Sequence, residues 1–292
     1  GRGPRGVLMV RLQWSPDAVD IDSSSPQRRR SIGHFHQEAL SARPWRAWGH
    51  GRMTAYRCRV LSNAVVADRT VALQLARPEG FSFTPGQYLD LTILDPTAND
   101  EQGPTRSLSI ASAPAERELL LVARLRDTAF KRALSTLREG TEVAVDGPFR
   151  DLEFPSGGVR PLVFVAGGVG VVPFLSAVRA ADLAGHPLPA TLFYSNRHPE
   201  DAAFLDELGG LAARVSGFRF VATMTRAAES ARPWTGETAR LGPELFARVL
   251  PSLAGPLYYI VGSGGLVSDV RQTLERAGVP RRDIDIELFT GY

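Results

Sequence analysis

Leu162–Ala166 is five consecutive apolar residues, and it runs without a break into Gly167-Gly168-Val169-Gly170-Val171-Val172-Pro173 and then the helical pattern Phe174–Leu183. A run that is apolar at every position suits a strand covered on both faces, which points to a parallel sheet between layers of helix. Glycines at the carboxyl end of such a strand leave backbone N–H groups accessible with no Cβ in the way, and the helix after them turns its positive end to the same point. Pro173 fits a first helical turn, where no N–H is needed. The loop therefore predicts a diphosphate site on Gly167, Gly168, Val169 and Gly170. Its spacing is not Gly-x-Gly-x-x-Gly, so the ordinary dehydrogenase fingerprint is not matched.

The hydrophobic period changes ahead of this loop. Between Tyr56 and about Pro148, apolar residues come in short alternating segments: Tyr56–Val65, Thr70–Ala76, Gln87–Leu94, Arg106–Ala111, Glu118–Leu125 and Glu142–Asp146. One helical stretch, Phe130–Arg138, interrupts them. The pattern predicts a small antiparallel β-barrel. After Gly157-Gly158, strands at Leu162–Ala166, Thr191–Tyr194, Phe218–Thr223, Leu257–Val261 and Ile284–Leu288 alternate with helical patterns, which predicts an α/β doubly wound parallel sheet. The expected organisation is an N-terminal extension at 1–52, a barrel domain at 53–156 and a dinucleotide domain at 157–292. The extension holds Gly, Pro, Ser and Arg clusters without sustained periodicity and reads as disordered or loosely docked, with Trp14, Trp45 and Trp48 as candidate anchors and Met53 as a candidate natural start.

Charge and cysteine usage narrow the function classes. The net charge is +3, but residues 1–52 hold nine arginines against four acids, a balance of +5 that leaves the rest at −2. A slightly acidic folded part argues against a nucleic-acid surface. No run of about 18 apolar residues occurs, so no membrane span is expected. No secretory signal pattern is present, which makes the cytoplasm the expected location. The one cysteine, Cys58, can neither form an intrachain disulfide nor supply the four thiolates of an iron–sulfur cluster. The five histidines show no clustered spacing, and no metal is expected.

Several ordered motifs carry a resemblance. They are Pro85-Gly86-Gln87-Tyr88, Arg106-Ser107-Leu108-Ser109, Val122-Ala123-Arg124 with Thr128-Ala129-Phe130-Lys131, Gly147-Pro148-Phe149-Arg150, the Gly-Gly-x-Gly-x-x-Pro loop, Ser195-Asn196-Arg197, Thr225-Arg226, Val261-Gly262-Ser263-Gly264 and Glu287-Leu288-Phe289. In this order, from about Met53 to Tyr292, the chain resembles the ferredoxin–NADP reductase superfamily.

The resemblance implies two cofactors, FAD on the barrel and NAD(P)H on the sheet. Arg106 would grip the FAD diphosphate through its planar fork, and the Ser109 hydroxyl would lie near flavin N5 or O4. Ser107, Leu108, Val122 and Arg124 would flank the flavin, and the amides of Thr128, Ala129, Phe130 and Lys131 would meet the diphosphate at a helix start. Ser195, Asn196 and Arg197 would line the dinucleotide. Thr225 and Arg226 would hold a 2′-phosphate, which favours NADPH over NADH. Gly262, Ser263 and Gly264 would approach the nicotinamide, Glu287 would hold it or ease proton delivery, and Phe289 or Tyr292 would cover the flavin. Ser109, Glu287 and Phe289 are the candidate catalytic residues. Three departures stand out: Leu108 replaces an aromatic ring that stacks on the flavin, and Val261 and Ser263 replace the Cys and Pro of the usual Cys-Gly-Pro.

The same resemblance implies a flavoprotein reductase that passes electrons from NAD(P)H to a separate acceptor: ferredoxin, flavodoxin, an oxygenase component or a small oxidant. Two other readings share the residues. One is a flavin or ferric reductase that binds flavin loosely as a substrate. The other is a non-catalytic flavin- or nucleotide-binding module that regulates a partner.

Overall fold

The computed structural model describes residues 55–150, 152–155 and 160–289; the 1–52 extension and Tyr292 lie outside the described residues. The first half folds as the alternation dictates. Strands β1 (Tyr56–Ala67), β2 (Thr70–Ala76), β3 (Gln87–Ile93), β4 (Thr105–Ser109), β5 (Glu118–Arg124) and β6 (Glu142–Arg150) form one antiparallel sheet in the order β4-β3-β6-β1-β2-β5. The two outer strands meet through a bridge between Ile110 and Leu121 and an Ala111 N–H bond of 2.7 Å to the Leu120 carbonyl. Closure of this kind removes exposed sheet edges.

Strand β3 buries every second residue, so Leu89, Leu91 and Ile93 enter the barrel beside Val60, Leu73, Leu75, Val143 and Val145. Helix α1 (Ala129–Thr136) covers the barrel with Phe130 and Leu134. Each such side chain contributes roughly 1.5–3 kcal/mol by leaving water. The strand expected to stop at Asp146 continues to Arg150. Asp146 faces Asp90 and Phe149 faces Tyr88, so Gly147 and Pro148 together oppose the single residue Leu89. A bulge absorbs the proline, which has no N–H for a regular ladder.

The second half is a parallel sheet of β7 (Leu162–Gly167), β8 (Ala190–Asn196), β9 (Phe218–Met224), β10 (Leu257–Gly262) and β11 (Ile284–Leu288), ordered β11-β10-β7-β8-β9. Helices α2 (Val172–Ala184), α3 (Leu205–Arg214), α4 (Pro243–Val249) and α5 (Gly264–Arg276) complete it. Strand β7 shows why its sequence is apolar throughout. Leu162, Phe164 and Ala166 face the α2 and α3 layer, whereas Val163 and Val165 face α4 and α5. Phe164 stacks on Phe174 of α2 at 4.5 Å between ring centroids. No helix among the described residues is long and apolar enough to cross a membrane.

The barrel and the sheet share a core. Ala72, Ala111 and Val122 belong to the same buried cluster as Val171, Phe174 and Leu175. Polar ties reinforce the seam: Ser176 Oγ donates to the Ser112 carbonyl at 2.7 Å, and the Asp68 amide donates to the Glu200 carbonyl at 2.7 Å.

Candidate functional site

The strand order reverses between β7 and β10, the usual place for a ligand in an open α/β sheet. Gly167 and Gly168 lead from β7 into a 3-10 turn, with Gly168 at φ +55°, and Val172 then opens α2 with Pro173 in its first turn. Gly170 is needed for close packing: a Cβ there would lie 2.5 Å from the Val261 carbonyl oxygen of β10. From β10 the chain passes through Gly262 to Ser263, whose hydroxyl caps α5.

A cleft of about 400 Å³ opens at this point. The parallel sheet lines it with Gly167, Gly168, Ser195, Asn196, Arg197, Asp201, Thr225, Ser263 and Leu266, and the barrel with Arg69, Arg124 and Arg126. Asp201 organises two of the arginines. Its buried carboxylate accepts from Arg124 Nη2 at 3.2 Å and from Arg197 Nε and Nη2 at 3.2 and 3.3 Å. Burial alone would raise this carboxyl, but the bonds from Arg124 and Arg197 and their charges hold it below the ordinary carboxylate range. Asn196 Nδ2 is buried in the same cleft without a hydrogen-bond partner. An orphaned amide donor among four arginines fits a ligand rich in oxygen acceptors and negative charge, as a dinucleotide is.

Of the residues singled out in the sequence, Arg124, Gly167, Gly168, Ser195, Asn196, Arg197, Thr225 and Ser263 therefore come together. Others do not line the cleft. Val169 is half-buried against the core, Gly170 and Gly262 are packing glycines, and Gly264 faces open space. Arg226 has a side chain 57% exposed, 3.9 Å from Glu229. Glu287 is buried on β11 opposite Val261, and Phe289 donates its amide to the Gly262 carbonyl at 3.0 Å. Arg69 and Arg126 line the cleft without any motif that announces them, because the sheet residues they face lie more than 40 positions away in sequence.

On the barrel, Ser107 donates to Asp90 at 2.5 Å, Ser109 is buried, Leu108 lies in the barrel core and Val122 in the seam core. Arg106 is buried over the Phe130 ring at 4.9 Å. Its Nη2 donates to both Asp100 carboxylate oxygens, at 2.7 and 2.8 Å, and Asp100 also accepts from the Phe130 amide at 3.4 Å. Thr128 caps α1 by accepting from the Lys131 amide, while the Thr128 amide donates to the Arg126 carbonyl. Ala129 opens the helix between these two. Burial would raise the Asp100 carboxyl, yet the Arg106 bonds, the Gln102 and Phe130 amides and the guanidinium charge keep it lowered. Lys131 is pushed down to about 8, first by burial and then by Arg106 and Arg126. Arg106 and the Phe130 amide of α1 thus converge on one carboxylate, that of Asp100.

The sequence matches the family model described as "Oxidoreductase NAD-binding domain" over residues 164–272. Ferredoxin–NADP reductase B of Sorangium cellulosum (strain So ce56) is 31% identical over 230 residues, covering 76% of this chain and 91% of that protein. The chain belongs to the ferredoxin–NADP reductase superfamily. The six-stranded antiparallel sheet followed by the five-stranded parallel sheet with its helices is consistent with that superfamily's two-domain fold. A second relative of this superfamily chain, the reductase component of propane 2-monooxygenase from Rhodococcus jostii (strain RHA1), is 30% identical over 243 residues, covering 80% of this chain. The chain spans 63% of the length of that relative. The fold also matches a ferredoxin NADP+ reductase from Neisseria gonorrhoeae with a TM-score of 0.67 at 24% identity, over 80% of this chain and 98% of that one.

Proposed function

We propose that the chain takes a hydride from NAD(P)H onto FAD and delivers the electrons to a separate acceptor. The observation that carries this reading is the cleft at the strand reversal, where the glycine loop of β7 and the orphaned Asn196 amide face arginines from the barrel. In this reading residues 53–156 form the FAD domain and 157–292 the nicotinamide domain. FAD, when bound, supplies the conversion between two-electron and one-electron transfer.

The chain's own residues bind and orient. Gly167, Gly168 and Asn196 offer donors to the dinucleotide phosphates, and Arg124 and Arg197, fixed by Asp201, offer charge. Arg106 and the first-turn amides of α1 hold the FAD diphosphate. Ser109 follows Arg106 by three residues on β4, so the two side chains leave opposite faces of the strand, and Glu287 and Phe289 sit beside the β10 exit; in this reading these three lie at the reacting rings. Orientation and exclusion of water suffice for hydride transfer, so Val261 and Ser263 in place of the usual Cys and Pro are compatible with it. Thr225 and Arg226 favour NADPH over NADH, Arg226 by swinging from its loose contact with Glu229 onto a 2′-phosphate.

The 292 residues hold one cysteine, so a cluster acceptor lies outside them. The names of its relatives suggest a ferredoxin or an oxygenase component as the acceptor. Leu108 favours a second reading, a reductase that releases its flavin, because an aliphatic side chain turned into the barrel core removes an aromatic stack worth about 0.5–1.5 kcal/mol. The colour of the purified protein separates the two: near-stoichiometric FAD supports the first and a colourless preparation the second.

Stopped-flow reduction of the FAD-loaded protein by NADPH and by NADH tests the assignment, in the unaltered chain and in Arg226→Ala. Bleaching of the flavin band with either nucleotide is expected. Arg226→Ala should cost NADPH binding roughly 1–3 kcal/mol and leave NADH alone. No bleaching with either nucleotide would refute the reductase reading, and equal losses would refute the 2′-phosphate role.

A further inference from the structure

Asp100 lies on the 94–104 loop between β3 and β4, with its carboxylate on Arg106 Nη2 and on the Phe130 amide of α1. A guanidinium and a helix-start amide converging on one anion are the donor types that recognise phosphate. Arg106 has little left to offer a second anion. Its Nη1 is spent on the carbonyls of Gln102, Gly103 and Thr105, and its Nη2 on Asp100. The Arg106 side chain is only 5% exposed, whereas Asp100, at 19%, borders solvent.

We propose that Asp100 is an internal competitor of the flavin diphosphate: the two contend for the Arg106–Phe130 site, and the 94–104 loop must carry Asp100 out whenever FAD seats there. The proposal rests on the assignment of FAD to the barrel. Charge sets the direction of the exchange. A diphosphate carries more negative charge than one carboxylate and also answers Lys131, which Arg106 and Arg126 repel. FAD therefore wins the site, but its apparent affinity is lowered by the fraction of time that Asp100 holds it. The loop in this way makes the flavin exchangeable, and Asp100 is an affinity-determining residue that makes no contact with the flavin itself.

The test is titration of the full chain with FAD and with riboflavin, followed by flavin fluorescence, for the unaltered protein, Asp100→Asn and Asp100→Ser. The variants should bind FAD on the order of tenfold more tightly. Riboflavin, which lacks the diphosphate, should bind all three alike. In the unaltered protein FAD should also speed cleavage after Glu101, an exposed turn residue of the same loop, by a glutamate-specific protease. Equal or weaker FAD binding by a folded variant, or a matching gain for riboflavin, overturns the proposal and leaves the flavin assignment standing. If neither variant folds, unchanged or slower cleavage after Glu101 on adding FAD overturns it. Failure of every protein to bind FAD overturns the flavin assignment and this proposal together.

Discussion

Arg124, at the end of a barrel strand, donates a 3.2 Å hydrogen bond to Asp201, which is buried beyond the end of a strand of the parallel sheet. One carboxylate thus joins the two halves and sets the direction of two arginines on the cleft. Asp201→Asn should lower stability by about 1–3 kcal/mol at neutral pH and weaken NAD(P)H binding. The sign with pH comes from a carboxyl lowered in the folded state. Its contribution is complete above the unfolded value of about 4 and is lost as pH falls through the folded value. Urea midpoints of the two proteins should therefore differ at pH 7 and converge in acid; a gap that persists unchanged would mean the ion pairs are not its source.

Gly170 and Gly264 make a matched pair of controls. Gly170→Ala forces a methyl group to within 2.5 Å of the Val261 carbonyl and should cost roughly 1–3 kcal/mol or more, with loss of nucleotide binding. Gly264→Ala meets nothing within 4 Å and should stay within about 0.5 kcal/mol of the parent. Thermal melts of both variants, with and without NADP+, would expose any reversal of this order.

Burial, with Arg106 and Arg126, pushes the Lys131 ammonium down to about 8 in the folded protein against about 10.4 in an unfolded chain. Between these values the unfolded chain binds more protons, so stability should rise with pH across that window and Lys131→Met should flatten the rise. A bound diphosphate should restore the ammonium. Calorimetric titration with FAD near pH 8, in two buffers of different ionisation heat, is expected to show proton uptake that Lys131→Met abolishes.

Cys58 is buried on β1, and burial pushes its thiol up to about 11. A thiol-specific reagent should leave it untouched in the native protein and label it only on unfolding. Rapid labelling at neutral pH without denaturant would contradict the burial.

Most of the architecture is legible in the residues because each half obeys one period. The alternation at Gln87–Leu94 and the unbroken apolar run at Leu162–Ala166 each place a strand to within a residue, the first because alternation buries one face of a strand, the second because five residues bounded by glycine are too short for a helix. Gly147-Pro148 reads as the end of a strand, and it became a bulge because β3 continued to pair beyond it. In the cleft, the glycine loop and Ser195-Asn196-Arg197 could be read because the local chain builds them. Arg69 and Arg126 could not be read this way, since their position depends on how the barrel sits against distant strands. The capture of Arg106 by Asp100 is likewise illegible: five residues separate them, and nothing in the spacing says that the loop folds back.

Ala72, Ala111 and Val122 interlock with Val171, Phe174 and Leu175 in a single apolar cluster. A hybrid enzyme made by grafting the nicotinamide half of a relative onto this barrel would inherit only one side of that joint, leaving methyl groups against water or against one another. Successful transplantation should therefore require those six positions to travel as a set, and in a screen of such hybrids thermal tolerance should follow the fit of the joint more closely than overall sequence identity to either parent.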